Sequence, residues 1–297
     1  MELLCIFAAL AVLFLFCAFL TLKCNLHAAL APLSALGIAV AWLTAAGMAN
    51  LLLPGTVLLW AVFAGSGVWA LVPHKGQRSA YRRLVTPGAV LFWGMALAFA
   101  VYFFIRQPLA TKYDELSLWA TAVKVTKADN RLYALATLGT PWPQTQNPGL
   151  PLLSYFFQFL GHYADWKIYV AYDVLAAALG GLNFRQYRIA VPLAAICWFA
   201  PWFLTVYNHT IYLDTTYMTA YGDVPAGLAL GGAVALWLAL RKTGGPKWAV
   251  LPVLALAANI KANTFVLSLV AAGLMAVDAW LFAEHPFKKG LARRTGF

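Results

Sequence analysis

Two adjacent carboxylates, Asp114 and Glu115, are the side chains whose type and position most directly suggest chemistry. They stand at an apolar boundary in a chain of which only 10% of the residues are charged. Neighbouring carboxylates repel each other and lose solvation, so we expect at least one pKa to rise toward the range of a general base. Both are therefore candidate catalytic residues. The alternative is that they solvate an interfacial helix and pair with Lys112 and Lys124, and the residues alone leave both interpretations open.

A second candidate is Lys261, which lies between two apolar segments. A lysine in such a place is costly within a bilayer and usually has an anionic partner, for which a lipid headgroup is suitable. The alternative is a lysine that marks a turn and extends to water. Asp223 enters a predicted span with Pro225 two residues later, a pattern that also suits a helix cap. Asp214 is open to a site role and a local role in the same way.

The remaining residue types that could hold a metal or move a proton give weaker signals. The four cysteines and five histidines are scattered without a CxxC or another ligand spacing, so they indicate neither disulfides nor a zinc site. An acidic pair can recruit a divalent cation, but no ligand pattern supports one, and metal dependence stays open. Asp173 and Asp278 fall within about two turns of predicted span ends, which snorkelling explains. Gly227 and Gly231 form a GxxxG pattern typical of close helix packing.

These candidates need elements that position them, and residues 107–150 form a polar island between apolar spans. The loop at 139–149, which contains Asn147, is rich in Pro and Gly, and we expect it to be an ordered cap over a site. The stretch before it predicts a short amphipathic helix on the bilayer surface. Read at 100° per residue, its polar side covers an arc of roughly 80° and contains Asp114, Ser117, Thr121 and Lys124, opposite Leu116, Leu118, Trp119, Ala120, Ala122 and Val123.

The composition of the whole chain sets its class. Of its 297 residues 63% are hydrophobic, and the mean hydropathy is +0.74. Such values lie outside those of soluble domains and predict an all-α polytopic membrane protein, a bundle of transmembrane helices. The formal charge of +11 would suggest nucleic acid as a partner of a soluble protein. Here the position of the basic residues sets the topology instead, and we expect no nucleic-acid partner.

Hydropathy predicts about nine membrane crossings. The first apolar run has no preceding basic residue and no cleavage site, so we interpret it as a permanent span rather than a signal peptide. The segment 150–160 is too short to cross and is interpreted as a half-inserted helix. The crossings are predicted at residues 3–22, 28–48, 51–72, 88–105, 166–182, 189–207, 224–240, 248–259 and 264–282.

The distribution of charge predicts the orientation. Segments predicted to be cytoplasmic hold fourteen basic residues and one acid, whereas the opposite side holds seven of each. This asymmetry predicts an external N-terminus, a cytoplasmic C-terminus and an extracytoplasmic polar island. We divide this single membrane domain into a four-span segment (1–106), an external loop with the candidate motif and the half-inserted helix (107–162), and a C-terminal helical bundle (163–297).

The order of these elements resembles the GT-C superfamily of integral-membrane glycosyltransferases. It looks closest to bacterial members related to the protein O-mannosyltransferases and the lipid A aminoarabinose transferase, in which a motif Asp-Glu-Phe-Ser-His-Trp-Ala recurs. Leu116 and Leu118 depart from that motif. Residues 147–151, 221–225 and 260–263 are similar to the family's Pro-Gly helix entrance, its Tyr-x-Asp-x-Pro element and its lysine segment, without the acid that some relatives carry there. The matching motif positions are Asp114, Glu115, Ser117, Trp119, Ala120 and Lys124.

The resemblance covers about residues 112–273, and we expect a short member of the group or a piece of one. It implies transfer of a sugar from a polyprenyl-phosphate donor to a glycan, lipid or protein acceptor, with Asp114 and Glu115 taking the acceptor's proton. A transporter or lipid flippase is the first alternative and predicts an acid near the bilayer midplane. A non-catalytic subunit of a polysaccharide assembly machine is the second and predicts that Asp114 is buried in a salt bridge. The donor-binding residues implied are Lys124, Lys261, Asp223, Trp119, Asn147 and Asp214.

Overall fold

The computed structural model describes residues 1–72, 78–141, 146–183 and 218–281, and within these ranges the chain forms helices without any β-strand. The predicted all-α class is confirmed for this part of the chain. Short turns lie at Arg82–Leu84, Glu115–Trp119 and Lys247–Val250. The helices are α1 Glu2–Leu22, α2 Ala31–Met48, α3 Leu52–Leu71, α4 Arg78–Tyr81, α5 Pro87–Arg106, α6 Ala120–Asp129, α7 Tyr133–Ala136, α8 Gly149–Gln158, α9 Trp166–Asn183, α10 Asp223–Thr243, α11 Leu251–Ala258 and α12 Ala262–Leu281.

Six of the described helices are long and apolar enough to cross a membrane, namely α1, α2, α3, α5, α10 and α12. They support a polytopic membrane protein but do not reproduce all nine predicted crossings. The crossing predicted at 189–207 lies outside the described residues. The one predicted at 248–259 is a turn followed by α11, whose 8 residues extend only about 12 Å. A helix of that length is too short to span a hydrocarbon core.

Helix α9 occupies the crossing predicted at 166–182, yet it is less apolar than the six. Lys167 and Asp173 lower its hydropathy, and both side chains are buried. Because α9 packs against α5, α8 and α10, its polar groups face protein rather than lipid. The interpretation of Asp173 as a snorkelling residue is therefore wrong. Its Oδ2 lies in the interior and has no hydrogen-bond partner among the described residues.

The charged and polar contacts between helix ends form two groups, one at each end of the bundle. At the basic end, which is formed by the last turns of α1 and α10 and the first turns of α2 and α5, Arg83 donates to Asn25 Oδ1 at 3.1 Å. Arg241 pairs there with Asp278 at 2.7 Å. The site end holds the first turns of α1, α9 and α10, and Lys167 pairs there with Glu2. The charges thus segregate along the helix axes, as the sequence predicts.

Close packing between helices uses glycines other than the predicted pair. A Cβ atom added to Gly37 would lie 2.5 Å from the Pro252 carbonyl oxygen, so the backbones of α2 and α11 are in direct contact. At Gly227 and Gly231, both in α10, an added carbon would meet no described atom within 4 Å, so this GxxxG packs against none of the described helices.

Candidate functional site

Glu115 is the anchor of the candidate motif. Its side chain is 1% exposed, as its place on the apolar side of the predicted helix suggests. Oε2 accepts from the backbone N–H groups of Thr111 and Lys112 at 3.2 and 3.3 Å, and Oε1 accepts from Ala220 N–H at 2.8 Å. Three N–H donors stabilise a carboxylate and hold it in place. Glu115 therefore ties the polar island to a segment more than one hundred residues later, instead of standing free beside Asp114.

The predicted amphipathic helix is present in a modified form. Glu115–Trp119 is a π-helical turn that continues into α6. The predicted polar positions Asp114, Ser117 and Lys124 are exposed, and Trp119 and the alanines after it are buried. Leu116 departs from the prediction because 53% of it is exposed. A π turn holds more residues than an α turn, so it rotates the side chains before it relative to those in α6.

Trp119 and Lys261 meet at the first turn of α10. The Trp119 ring lies so close to Gly222 that an added carbon there would stand 2.5 Å from it. Lys261 Nζ lies 5.7 Å from the centroid of the same ring and 2.5 Å from Asp223 Oδ1. A cation over an indole face is attracted by the ring quadrupole, and the carboxylate completes its coordination. Three segments distant in sequence thus converge on one ammonium group.

Asp223 does not act as the helix cap that its position allows. It is the first residue of α10, and the capping position is occupied by Gly222. Its side chain is 70% exposed, whereas that of Lys261 is 26% exposed. The pair is therefore partly open to its surroundings, and an anion can compete with Asp223 for the lysine.

The turn that carries Lys261 also receives the first residue of α8. Gly149 N–H donates to the Asn259 carbonyl at 2.8 Å, and an added carbon on Gly149 would lie 2.6 Å from that oxygen. Only a glycine permits this approach. The turn itself is fixed by Thr264, whose hydroxyl donates to the Ala257 carbonyl at 2.8 Å. Asn147, two residues before α8, is half-buried.

Two residues absent from the predicted set lie within this cluster. Lys112 Nζ is buried, has no hydrogen-bond partner in the described ranges, and lies 5.9 Å from the centroid of the Tyr221 ring. Tyr221 is half-buried, and this burial, together with the charges of Asp114 and Glu115, raises the pKa of its phenol. The phenol accordingly stays protonated at neutral pH. Lys112 belongs to the predicted polar island, but its burial depends on a contact with Tyr221 that the sequence does not show.

Two further side chains hold the polar island against α9. Asp165 Oδ2 accepts from Ala110 N–H at 3.0 Å, and the Tyr163 hydroxyl donates to Asp165 Oδ1 at 2.6 Å. The same hydroxyl lies 3.3 Å from the carbonyl oxygen of Ala120. Ala110 precedes the π turn and Ala120 follows it, so Asp165 and Tyr163 contact the chain on both sides of that turn. Burial and the neighbouring Asp165 raise the pKa of Tyr163, which keeps this donor protonated.

The other predicted site residues are not all brought to this cluster. Asp114 is exposed and is in no ion pair with a described residue, so the burial in a salt bridge that the assembly-subunit alternative requires is not found. Lys124 is exposed one turn beyond the π turn, and no described carboxylate pairs with it. Asp214 and residues 142–145 of the Pro-rich loop lie outside the described residues.

The cluster combines three chemical capacities at the site end. It has an exposed carboxylate, a partly accessible ammonium on an indole ring, and a second ammonium that is buried without a hydrogen bond to the described residues. An exposed carboxylate can accept a proton, and an ammonium group can hold a phosphate. Among the described residues no group of three or more His, Cys, Asp or Glu is placed to hold a metal ion. Comparison with known proteins finds no matching family model, no matching curated protein and no matching solved structure.

Proposed function

We propose that this chain is a membrane glycosyltransferase that moves a sugar from a polyprenyl-phosphate donor to an envelope acceptor at the extracytoplasmic face. The observation that carries the proposal is the convergence of Lys261, Asp223 and Trp119. The exposed Asp114 interacts with Tyr221, two residues before Asp223. A lipid-linked sugar needs a cation for its phosphate and a base for the acceptor. Lys261, placed over the buried Trp119 ring, supplies the cation, and the exposed Asp114 supplies the base, in a chain with six helices apolar enough to cross a membrane.

In this mechanism Asp114 acts on the acceptor. The acceptor oxygen forms a bond with the anomeric carbon while the bond from that carbon to the phosphate oxygen breaks. The electron pair leaves with the lipid phosphate, and the acceptor's proton passes to the Asp114 carboxylate. Glu115 takes no proton in this scheme, because its oxygens already accept three backbone N–H groups. It is a positioning residue that orients the turn bearing Asp114.

Lys261 and Lys112 act on the leaving phosphate. In the unliganded protein Lys261 is paired with Asp223, and the donor phosphate replaces that carboxylate as its partner. Lys112 supplies a second positive charge that has no hydrogen-bonding partner among the described residues. Both cations stabilise the negative charge that grows on the phosphate as the bond breaks.

The base is tested by Asp114→Asn, with Asp129→Asn as its matched control on α6. Both aspartates are exposed, so neither substitution is expected to change folding. Transfer of labelled sugar from a panel of polyprenyl-phosphate hexoses should fall by at least roughly a hundredfold in Asp114→Asn only. Equal transfer in both variants would remove Asp114 from the mechanism.

Donor binding is tested separately with polyprenyl monophosphate, which needs no knowledge of the sugar. The purified protein in nanodiscs should bind this lipid, and Lys261→Ala should weaken binding roughly tenfold or more. Lys242→Ala, an exposed lysine at the basic end, should bind like the wild type. If the wild type fails to bind the lipid phosphate, or Lys261→Ala binds it equally well, the proposed donor site is wrong.

A transporter remains the second candidate because of one observation, the buried Asp173 in α9. Its Oδ2 has no hydrogen bond to the described part of the chain, and membrane-embedded acids often belong to proton relays. Under the transferase proposal Asp173→Asn keeps full transfer, whereas a proton-coupled carrier would lose uptake with the same substitution. Measuring transfer and proton-coupled uptake in proteoliposomes distinguishes the two functions.

A further inference from the structure

A cavity of about 360 Å³ opens at the basic end, opposite the cluster around Lys261. It lies where the last turn of α1 and the turn before α2 meet the first turn of α5 and the last turn of α10. Thr21, Asn25, His27, Arg83 and Thr86 supply its polar lining. None of these residues takes part in the proposed transfer reaction.

One residue that lines this cavity has a buried hydroxyl without a hydrogen-bond partner among the described residues. Thr21 is 1% exposed, and its Oγ1 has no hydrogen bond to any described residue. Buried hydroxyl groups are normally satisfied, because leaving one unpaired costs free energy. A threonine in a helix usually bonds to the carbonyl one turn earlier, and Thr44 and Thr56 do so here. Thr21 and Thr126 make no such bond to a described residue, and of these two Thr21 lines the cavity, which leaves space for a ligand atom beside it.

The charge around the cavity is positive. The Arg83 guanidinium contributes its donors, one of which bonds to Asn25 Oδ1 at 3.1 Å. Thr86 caps α5 by accepting from Ala89 N–H, so the positive end of that helix dipole also points to this region. Within the described ranges, Asp278 is an acid at this end, and it is paired with Arg241. An anion is therefore the favoured occupant.

The segment before α5 has a second, apolar side. Tyr81, Leu84 and Val85 line a groove of about 790 Å³ that continues between α1 and α5. Arg83 and Thr86, which alternate with them in sequence, line the polar cavity instead. One short segment thus separates a cationic cavity from a groove whose lining is aliphatic and aromatic. This arrangement matches a molecule with a charged head and a hydrocarbon tail.

We infer that the cavity at the basic end binds the phosphate headgroup of an anionic glycerophospholipid, one acyl chain of which lies in the groove between α1 and α5. Arg83 holds the phosphate oxygens, and the Thr21 hydroxyl donates to the headgroup. The bound lipid joins the ends of α1, α2, α5 and α10, so it stabilises the bundle. This site is independent of the proposed transferase function, since it uses the opposite end of the helices.

The test is native mass spectrometry and thermal unfolding of the detergent-purified full chain with added phosphatidylglycerol. The wild type should retain one lipid tightly and unfold at a higher temperature when the lipid is present. Arg83→Gln should weaken lipid binding by roughly tenfold to a hundredfold, because a charge-assisted contact is lost. Thr21→Val should weaken it several-fold without lowering the stability of the lipid-free protein.

Arg82→Gln is the matched control, since Arg82 is an exposed neighbour that does not line the cavity. It should bind phosphatidylglycerol like the wild type. Equal losses in Arg82→Gln and Arg83→Gln would show general surface electrostatics and overturn the site. The proposal also fails if phosphatidylcholine binds as tightly as phosphatidylglycerol, or if inorganic phosphate alone stabilises the protein to the same extent.

Discussion

At the scale of single residues, Asp114 and Glu115 are neighbours with opposite environments. Asp114 is exposed, whereas Glu115 is buried and accepts from three backbone N–H groups of two separate segments. The pair therefore does not behave as two equivalent carboxylates at a boundary. One is accessible to substrate, and the other holds the local backbone. The proposed division between a base and a positioning residue follows from this difference.

Glu115→Ala should lower stability strongly, and Asp114→Ala should not. Removing the Glu115 carboxylate leaves buried N–H donors without an acceptor, which we expect to cost about 2 kcal/mol or more. Asp114→Ala removes an exposed side chain, for which a change within about 0.5 kcal/mol is expected. Thermal unfolding of both variants in the same detergent measures the difference. Comparable unfolding temperatures for the two variants would contradict the anchoring role of Glu115.

At the scale of elements, the site is made of turns rather than of helix interiors. The π turn at Glu115–Trp119, the first turn of α10 and the turn before α12 each contribute one group. Gly149 and Gly222 allow these turns to touch. A Cβ atom added at Gly149 would lie 2.6 Å from the Asn259 carbonyl oxygen, and one added at Gly222 would lie 2.5 Å from the Trp119 ring. The ends of separate helices are thereby held together without a soluble domain in the described ranges.

Gly222→Ala should disturb the cluster, while Gly227→Ala serves as its matched control in the same helix. The methyl group at 222 would collide with the Trp119 ring and cost about 1–3 kcal/mol of stability. A Cβ atom added at Gly227 would have no described atom within 4 Å. Alanine there should leave the stability unchanged or raise it by up to about 1 kcal/mol. Thermal unfolding and polyprenyl phosphate binding measure the two effects. Wild-type lipid phosphate binding by Gly222→Ala would contradict the packing role of Trp119.

At the scale of the whole molecule, the bundle separates two groups of charges along its axis. The basic end holds Arg83, Arg241 and Lys247, and the site end holds mixed charges that include Glu2 and Asp223. Because basic segments are retained on the cytoplasmic side, the basic end is predicted to face the cytoplasm. The proposed site then faces outward.

This orientation is tested by adding one cysteine at a time to the wild-type protein and labelling it with a membrane-impermeant thiol reagent. In intact cells Asp129→Cys at the site end should be labelled, whereas Lys247→Cys should react only after the membrane is opened. Both positions are exposed, so access depends on the side of the membrane. The wild type measures the background from its four native cysteines. Labelling of Lys247→Cys in intact cells would reverse the topology and contradict the proposed active face.

Asp114, Asp223 and Lys261 were identifiable as candidates from the chain alone, because charge is rare in an apolar sequence, whereas Lys112 and Tyr221 were not. Hydropathy likewise determined the helical membrane class and the segregation of basic residues to one end. The local pattern also determined the burial of Glu115, since side-chain direction follows from helical periodicity.

Only the tertiary structure decided which of these residues meet. The pairing of Lys261 with Asp223, the contact of Trp119 with Gly222 and the burial of Lys112 over Tyr221 join segments that are far apart along the chain. Periodicity describes one helix at a time and carries no information about its neighbours. For the same reason the sequence could not show whether Asp173 is buried among helices or extends from a span end to water. Burial by neighbouring helices, a property of packing and not of hydropathy, decides between the two.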